Sequence, residues 1–382
     1  MTNEKNILVF IDWYLPGYKA GGPIQSIANL VGKMPYQFWI VTSLYDHATD
    51  TPYDDVEEAT WIKRRENEQI MYFGDGGPSG KALKALLTER EYDVIYLNSL
   101  FSTTYTLKPL WSAKKLDLTD KLILAPRGML KSGALSVKSK KKTAFLAGAK
   151  TIGLFKGIIW HATNEAEQQE IKSYFGKNTS VKIAPNLPRN IEDRKHTPEK
   201  EKGKLRLITV ARVSHEKNIL GGITYLQQLE NATIEWEIYG TLQDENYLKQ
   251  CRDEASKIDH LTIDFKGEIE PKKIPKALQE NHFFYLPTLG ENYGHAIAES
   301  LLNSVPVIIS DKTPWQGLEE KTAGWALPLK KETFHNVLSE CAHMDNVTYQ
   351  EFVEGAKTTG YSISHDHQAI KSNKLLFSID HL

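Results

Sequence analysis

Cysteine is almost missing from this chain: among 382 residues there are two, Cys251 and Cys341. Neither stands in a metal or redox spacing, which excludes a disulfide scaffold, a zinc module and a dithiol catalyst. Charge of one sign is missing as well, with 47 Lys and Arg against 48 Asp and Glu and a net charge of −1. A chain without a basic field does not have nucleic acid as its main partner. No uncharged apolar run reaches the roughly 20 residues of a membrane span. The first apolar run, residues 7–11, is short and stopped by Asp12, so it does not make a signal peptide. These absences predict a cytoplasmic protein whose membrane contact is at most peripheral. No Gly-x-Gly-x-x-Gly follows the first apolar run, which disfavours a dinucleotide-dependent dehydrogenase. The glycine-rich stretch 74–82 is one residue too long for a P-loop and lacks the hydroxyl residue after Lys81, so it reads as a loop capping a helix.

What is present is the composition of a globular protein, 41% hydrophobic and 25% charged, in a chain long enough for two cores of about 150–200 residues each. Apolar runs at 7–11, 38–42, 69–73, 94–98, 122–125 and 157–162 read as buried strands, and segments such as 80–87 between them read as amphipathic helices. Such alternation predicts a parallel sheet covered by helices on both faces. Pro185 and Pro188 break the pattern, and residues 189–204 are charged with almost nothing to bury, which reads as a linker. After it the alternation restarts at 205–211, 235–240, 261–267, 283–287 and 305–309. The expected organisation is therefore a first domain at 1–188, a linker at 189–204, a second domain at 205–364 and a closing helix at 365–382. That closing helix is expected to pack back on the first domain, and its Ser364-His-Asp-His367 reads as a helix cap, because His residues at i and i+2 do not share a face.

Several residues stand where open α/β domains bind ligands, at the carboxyl ends of strands. Gly22, in the turn after the first strand, lets backbone approach a ligand. Asn98 closes the strand 94–98, and Arg127 follows the strand 122–125. Arg127 also belongs to a one-sided run: residues 121–164 hold nine Lys or Arg and no Asp or Glu, either a solvated basic face or a surface for anionic lipid. In the second domain Arg212 and Lys217 share a strand-to-helix turn and are placed to converge on one anion, the guanidinium as a fork and the ammonium as a point charge. Gly240 and Gly267 each end a strand at the same edge.

The most informative stretch is 287–299, a strand end, a glycine-bearing turn and a helix start. The N–H groups of a helix N-terminus make the turn from Gly290 to His295 a seat for phosphate oxygens. Glu291 and Glu299 flank that seat. Carboxylates do not hold an anion, so they are expected to accept hydrogen bonds from hydroxyls on either side of it. Hydroxyls on both sides of a diphosphate describe a nucleotide sugar.

Arg212, Lys217, Asn218, Gly240, Gly267 and the Glu291–Glu299 pair, in this order, resemble the retaining glycosyltransferases of family 4, across nearly the whole chain from Gly21-Gly22 onward. The resemblance implies the GT-B fold, two facing Rossmann-like domains with a cleft between them. It implies transfer of a sugar from a nucleoside-diphosphate sugar, bound by the second domain, to a glycan or lipid-linked acceptor bound by the first. Glu299 would bind the ribose and Glu291 the transferring sugar. Arg212 and Lys217 would hold the diphosphate, helped by backbone N–H groups around Tyr293, Gly294 and His295. The reacting centre would thus be Arg212, Lys217 and Glu291, with Gly22, Gly240, Gly267 and Gly290 shaping the donor site and Asn98 and Arg127 on the acceptor side. No cofactor and no metal are expected, since there is no Asp-x-Asp and the cations would replace a divalent ion. Many family members have His-Gly where this chain has Arg127-Gly128, a form resembling a surface-polysaccharide subgroup, and Arg127 does not serve as a base at neutral pH. The competing expectations are an epimerase or hydrolase of the same fold, with His161, His215 and His295 as base candidates, and a catalytically silent nucleotide-binding module.

Overall fold

The computed structural model describes residues 5–131, 139–189, 197–229 and 231–379. The chain divides into two compact units, Met1–Leu187 with His367–Leu382, and Pro188–Asp366.

In the first unit β1 (Asn6–Phe10), β2 (Gln37–Ser43), β3 (Ile62–Arg65), β4 (Glu68–Phe73), β5 (Val94–Asn98), β6 (Leu122–Ala125), β7 (Ile159–Ala162) and β8 (Val181–Ile183) form one sheet. The order is β3-β4-β2-β1-β5-β6-β7-β8. Neighbours run parallel throughout except β3 and β4. β5, β6 and β7 are buried along their whole length, which is why they read as unbroken apolar runs. β3 is Ile-Lys-Arg-Arg with its three cations exposed. It shows no apolar periodicity, and its charges suit an edge that must not pair further. Helices α1 (Gly22–Lys33), α2 (Gly80–Thr88), α3 (Lys108–Lys115), α4 (Ser139–Thr151) and α5 (Glu165–Phe175) connect the strands. Ser79 caps α2 by accepting from the Ala82 amide, so the stretch 74–79 is the helix-capping loop that its spacing suggested. Part of the basic run, residues 132–138, lies outside the described residues.

The second unit holds β9 (Lys204–Val210), β10 (Thr233–Tyr239), β11 (Leu261–Gly267), β12 (Phe283–Leu286), β13 (Val307–Ser310) and β14 (Gly324–Leu327), all parallel, in the order β11-β10-β9-β12-β13-β14. Its helices are α6 (Ile219–Leu226), α7 (Glu245–Ala255), α8 (Ile274–Gln279), α9 (His295–Leu302), α10 (Lys331–His343) and α11 (Asn346–Ser364). β9 has β10 on one side and β12 on the other. The strand order therefore reverses at β9–β12, and in open α/β sheets ligands bind at the carboxyl ends beside such a reversal. The last helix, α12 (His367–Leu376), belongs to the first unit. Phe377 at its end meets Phe38 and Tyr96 edge-on, at 6.4 and 5.4 Å between ring centroids. Lys182 Nζ donates to the Leu375 and Ser378 carbonyls.

The stretch 189–204 differs from the linker expected of it. Lys200 is 3% exposed, and its ammonium donates to the Glu201, Ala342 and Met344 carbonyls. Two of these acceptors end α10, where unpaired carbonyls favour a cation. Charged composition therefore did not prevent burial, because a helix terminus supplied the partners. Residues 190–196 lie outside the described residues.

Among the described residues each unit encloses one buried histidine, His161 in the first and His282 in the second. His161 donates from Nε2 to the Ala184 carbonyl and accepts at Nδ1 from the Tyr96 hydroxyl. His282 accepts the Arg206 amide at Nδ1 and donates from Nε2 to the Glu199 carbonyl. Burial lowers both rings, His161 to about 3 and His282 to about 4. Between those values and the ordinary 6.5 the unfolded chain binds protons that the folded chain refuses, so stability falls as pH falls. The expected loss is about 2 kcal/mol per ring at pH 5 relative to pH 7.5. Urea midpoints at the two pH values check it: His161→Gln and His282→Gln should each flatten the pH slope. An unchanged slope in the double variant would refute the assignment.

Candidate functional site

Two turns meet at the strand-order reversal of the second unit. The first follows β9 and carries Arg212, a short 3-10 turn at His215–Lys217 and Asn218 in the left-handed conformation. The second follows β12 and leads into α9. Backbone and side chains lace them together: the Leu289 amide donates to the Glu216 carbonyl, Thr288 Oγ1 donates to the same carbonyl, and Asn218 Nδ2 donates to the Pro287 carbonyl. That lacing brings Lys217 Nζ to 2.6 Å from Glu291 Oε1, across 74 residues of sequence. Both side chains are about seven-eighths buried, so water screens the pair little.

Glu299 lies in the second turn of α9 and accepts from Arg189 Nη1 at 2.5 Å. Arg189 also donates to the Pro271 carbonyl. Arg212 is different: its side chain is half exposed and reaches Glu216 only at 4.0 Å. A pair this long and exposed contributes roughly 0–1 kcal/mol and leaves the guanidinium able to swing to another anion. The expected convergence of Arg212 and Lys217 on one point is thus not the arrangement observed. Lys217 is drawn to the nearer counter-charge, Glu291, and Arg212 stands at the rim.

The turn 290–294 carries Glu291 and leads into the helix that carries Glu299. Gly294 is left-handed, with φ 78°. A Cβ there would come within 2.8 Å of Ile297 Cδ1 and 3.3 Å of the Trp315 indole nitrogen, so glycine is required by conformation, and a side chain would also displace the end of Ile297. Trp315 Nε1 donates to the Tyr293 carbonyl and fixes the turn from behind. The Ile297 and Ala298 amides both bond to the Gly294 carbonyl. Among the described residues no acceptor takes the amides of Tyr293, Gly294 or Ala296, so the start of α9 presents donors to a ligand. Burial, with Asp366 nearby, pushes the Tyr293 phenol well above its ordinary range, and it stays neutral. Its ring lies 4.8 Å from that of His295 and 5.4 Å from that of Trp315.

The glycines divide by cause. Gly290 and Gly267 have open space where a Cβ would project, as expected of a surface that a ligand approaches. Gly240 is excluded from substitution by backbone: its Cβ would overlap the Ala211 carbonyl oxygen at 1.9 Å. In the Gly21-Gly22 turn of the first unit it is Gly21 that has a positive φ, 67°, and Gly22 opens α1.

At the carboxyl edge of the first sheet Arg127 is left-handed, with φ 56°. Its Nε and Nη2 donate to Asn98 Oδ1 at 3.1 and 2.9 Å, Nη2 also to the Tyr96 hydroxyl at 2.9 Å, and Nη1 to Asn186 Oδ1 at 2.8 Å. Asn98, fully buried at the end of β5, is therefore the residue that positions Arg127. The following Gly128 amide donates to Glu167, whose buried carboxylate also takes the Thr163 amide and hydroxyl. Asp12, after β1, accepts from Ser102 at 2.6 Å, and burial raises its carboxyl above the usual range.

Sequence reasoning missed Arg189 and Asn186. A lone Arg heading a charged stretch looks like its neighbours, and an Asn between prolines looks like a turn, so no local signal marks either.

Residues 190–328 match the family described as Glycosyl transferases group 1. No curated protein sequence matches the chain. Among solved structures it resembles the sucrose-phosphate synthase (tll1590) of Thermosynechococcus elongatus, with 13% identity, TM-score 0.72 and 98% of each chain covered. It resembles the E. coli trehalose-6-phosphate protein solved with UDP-2-fluoro glucose, with 10% identity, TM-score 0.69 and coverage of 98% of this chain and 100% of that one. A third likeness is to Anabaena Alr3699/HepE in complex with UDP and glucose, with 15% identity, TM-score 0.64 and 98% of each chain covered.

Proposed function

The fold is that of the GT-B glycosyltransferases, and within it we propose that this chain moves a sugar from a nucleoside-diphosphate sugar to a glycan or lipid-linked glycan, with retention of configuration and in cell-surface polysaccharide synthesis. The observation that carries the reading is the pair of largely buried carboxylates, each with its own cation, beside a helix start where the Tyr293, Gly294 and Ala296 amides are unclaimed among the described residues. Amides at a helix start suit the diphosphate. Glu299 suits the ribose hydroxyls and Glu291 the hydroxyls of the transferring sugar. The solved relatives bound to UDP, glucose or UDP-2-fluoro glucose support this choice of ligand.

The chemistry asked of these residues is electrostatic. As the bond from the sugar to the diphosphate breaks, negative charge grows on the leaving oxygen, and Lys217 with the turn amides stabilises it. Lys217 exchanges part of its contact with Glu291 for the phosphate, which frees Glu291 to accept from the sugar. Arg212, loosely held at the rim, closes on the same charge without a metal. The leaving oxygen itself takes the acceptor proton on the same face, which preserves configuration. His161 does not compete for that task, because both its ring nitrogens are bonded inside the first unit. That observation weighs against an epimerase or hydrolase using it as a base.

Thermal shift against UDP, GDP and ADP tests the reading. One of the three should raise the melting temperature, by an amount that grows with the logarithm of its concentration above Kd. Glu299→Ala should demand about 10–100-fold more ligand for the same rise, and an unchanged concentration dependence in the variant would remove Glu299 from the site.

A further inference from the structure

We infer that Arg127 sets specificity in the first unit, selecting a sugar that carries an anionic group, a carboxylate or a phosphate ester. The inference rests on the reading of the chain as a sugar transferase, and it adds a substrate class that the donor site does not specify.

The first ground is charge. Every side chain that holds the Arg127 guanidinium is neutral, two amide oxygens and a phenol hydroxyl. Among the described residues no carboxylate stands within ion-pair distance of it. Glu167 is close in the same network, but its oxygens are taken by Gly128 and Thr163. His161, at the far end of the chain of bonds through Tyr96, is neutral, held so by burial and by Arg127 itself. A partly buried cation fixed by dipoles alone is costly, because dipoles orient it without cancelling its charge. A purely structural arginine would gain from a carboxylate where Asn98 stands.

The second ground is preorganisation. Four N–H groups of the five are directed at Asn98, Tyr96 and Asn186, which leaves one Nη1 N–H and the full positive charge for a ligand. The backbone accepts a left-handed φ of 56° at a non-glycine residue to place the side chain there, a conformation that an L residue's Cβ disfavours. Strain kept at the carboxyl edge of a parallel sheet is strain at the ligand edge. A neutral sugar would take no advantage of the charge. An anionic one would form a short charge-assisted hydrogen bond to it.

The anion has two sources, the accepting sugar or the donor sugar, and two substrate pairs separate them. Isothermal titration compares glucose 6-phosphate and glucuronate with glucose, alone and with saturating UDP, and separately compares UDP-glucuronate with UDP-glucose. The wild-type protein should prefer the charged member of one pair by at least about tenfold. Preference in the first pair assigns the anion to the acceptor, and in the second to the donor. Asn98→Asp keeps the oxygen that Arg127 bonds to and cancels the charge, at the loss of the long bond from Asn98 Nδ2 to the Phe10 carbonyl, so the preference should fall to near unity. Arg127→Met should do the same, and Arg127→Lys should retain part of it. Equal binding of charged and neutral members by the wild type, or a preference that survives both Asn98→Asp and Arg127→Met, would overturn the inference. Acceptor titrations without nucleotide read Arg127 independently of the donor site, so a failure of UDP, GDP and ADP to bind would count against the proposed function alone.

Discussion

Lys217→Ala should lower sugar transfer by about 10²–10³-fold, the loss found when a donor aimed at developing negative charge is removed. The variant should fold, because Lys217 caps no helix and its contact is a single ion pair. It does leave the Glu291 carboxylate, about one-seventh exposed, without the Lys217 ammonium, and its negative charge then repels an incoming diphosphate. Lys217→Ala combined with Glu291→Gln removes that complication. If Lys217 stabilises the leaving group, the double variant stays slow. If the loss came only from the stranded carboxylate, the double variant recovers. Glu299→Ala should act on a different constant. A ribose contact is made equally in ground and transition states, so KM for the donor should rise by about 10–100-fold with a smaller change in kcat. Steady-state release of nucleoside diphosphate, with melting curves as a folding control, measures all three variants. Full turnover in Lys217→Ala and Glu299→Ala together would end the assignment of this site.

The second large effect is on stability. Gly240→Ala should destabilise the second unit by about 3 kcal/mol or more, since the added carbon would sit 1.9 Å from the Ala211 carbonyl oxygen and 2.5 Å from its carbon. Backbone, not a flexible side chain, is the obstacle, so relief requires moving β9 away from β10, which are paired along seven residues. Two other glycines calibrate the result. Gly267→Ala meets open space but is left-handed at φ 74°, and should cost about 1 kcal/mol. Gly290→Ala meets open space without a left-handed φ, and should change stability by about 0.5 kcal/mol or less. Urea midpoints of the three variants should rank in that order. Gly240→Ala as stable as Gly290→Ala would show that the close approach at Ala211 is not a constraint.

Much of this was legible in the chain. Apolar runs of four to seven residues separated by amphipathic segments are a local pattern, and local sterics and burial convert it into strands and helices without reference to distant residues. β5, β6, β7 and β12, buried on both faces, stood out for that reason. β3, β8 and β14 did not, being three or four residues long and charged or glycine-bearing. The turn at 290–294 and its flanking glutamates were also local, since glycine, helix start and carboxylates lie within one stretch. Gly240 was picked out for its place at a strand end, but its cause, the carbonyl of Ala211, lies on another strand.

By itself, then, the sequence determined the α/β class, the sites of the strand-to-helix turns and the chemical types gathered in each. Which turns meet was decided by tertiary structure alone. Lys217 pairs with Glu291 because the strand order reverses between β9 and β12 and sets the turns that follow them side by side, and Arg189, in the segment that enters the second unit, meets Glu299 across 110 residues. Arg127 likewise finds Asn98 and Asn186 through the order of β5, β6, β7 and β8. Strand order follows from the global competition between closing long loops and burying both sheet faces, and no window of residues carries that balance.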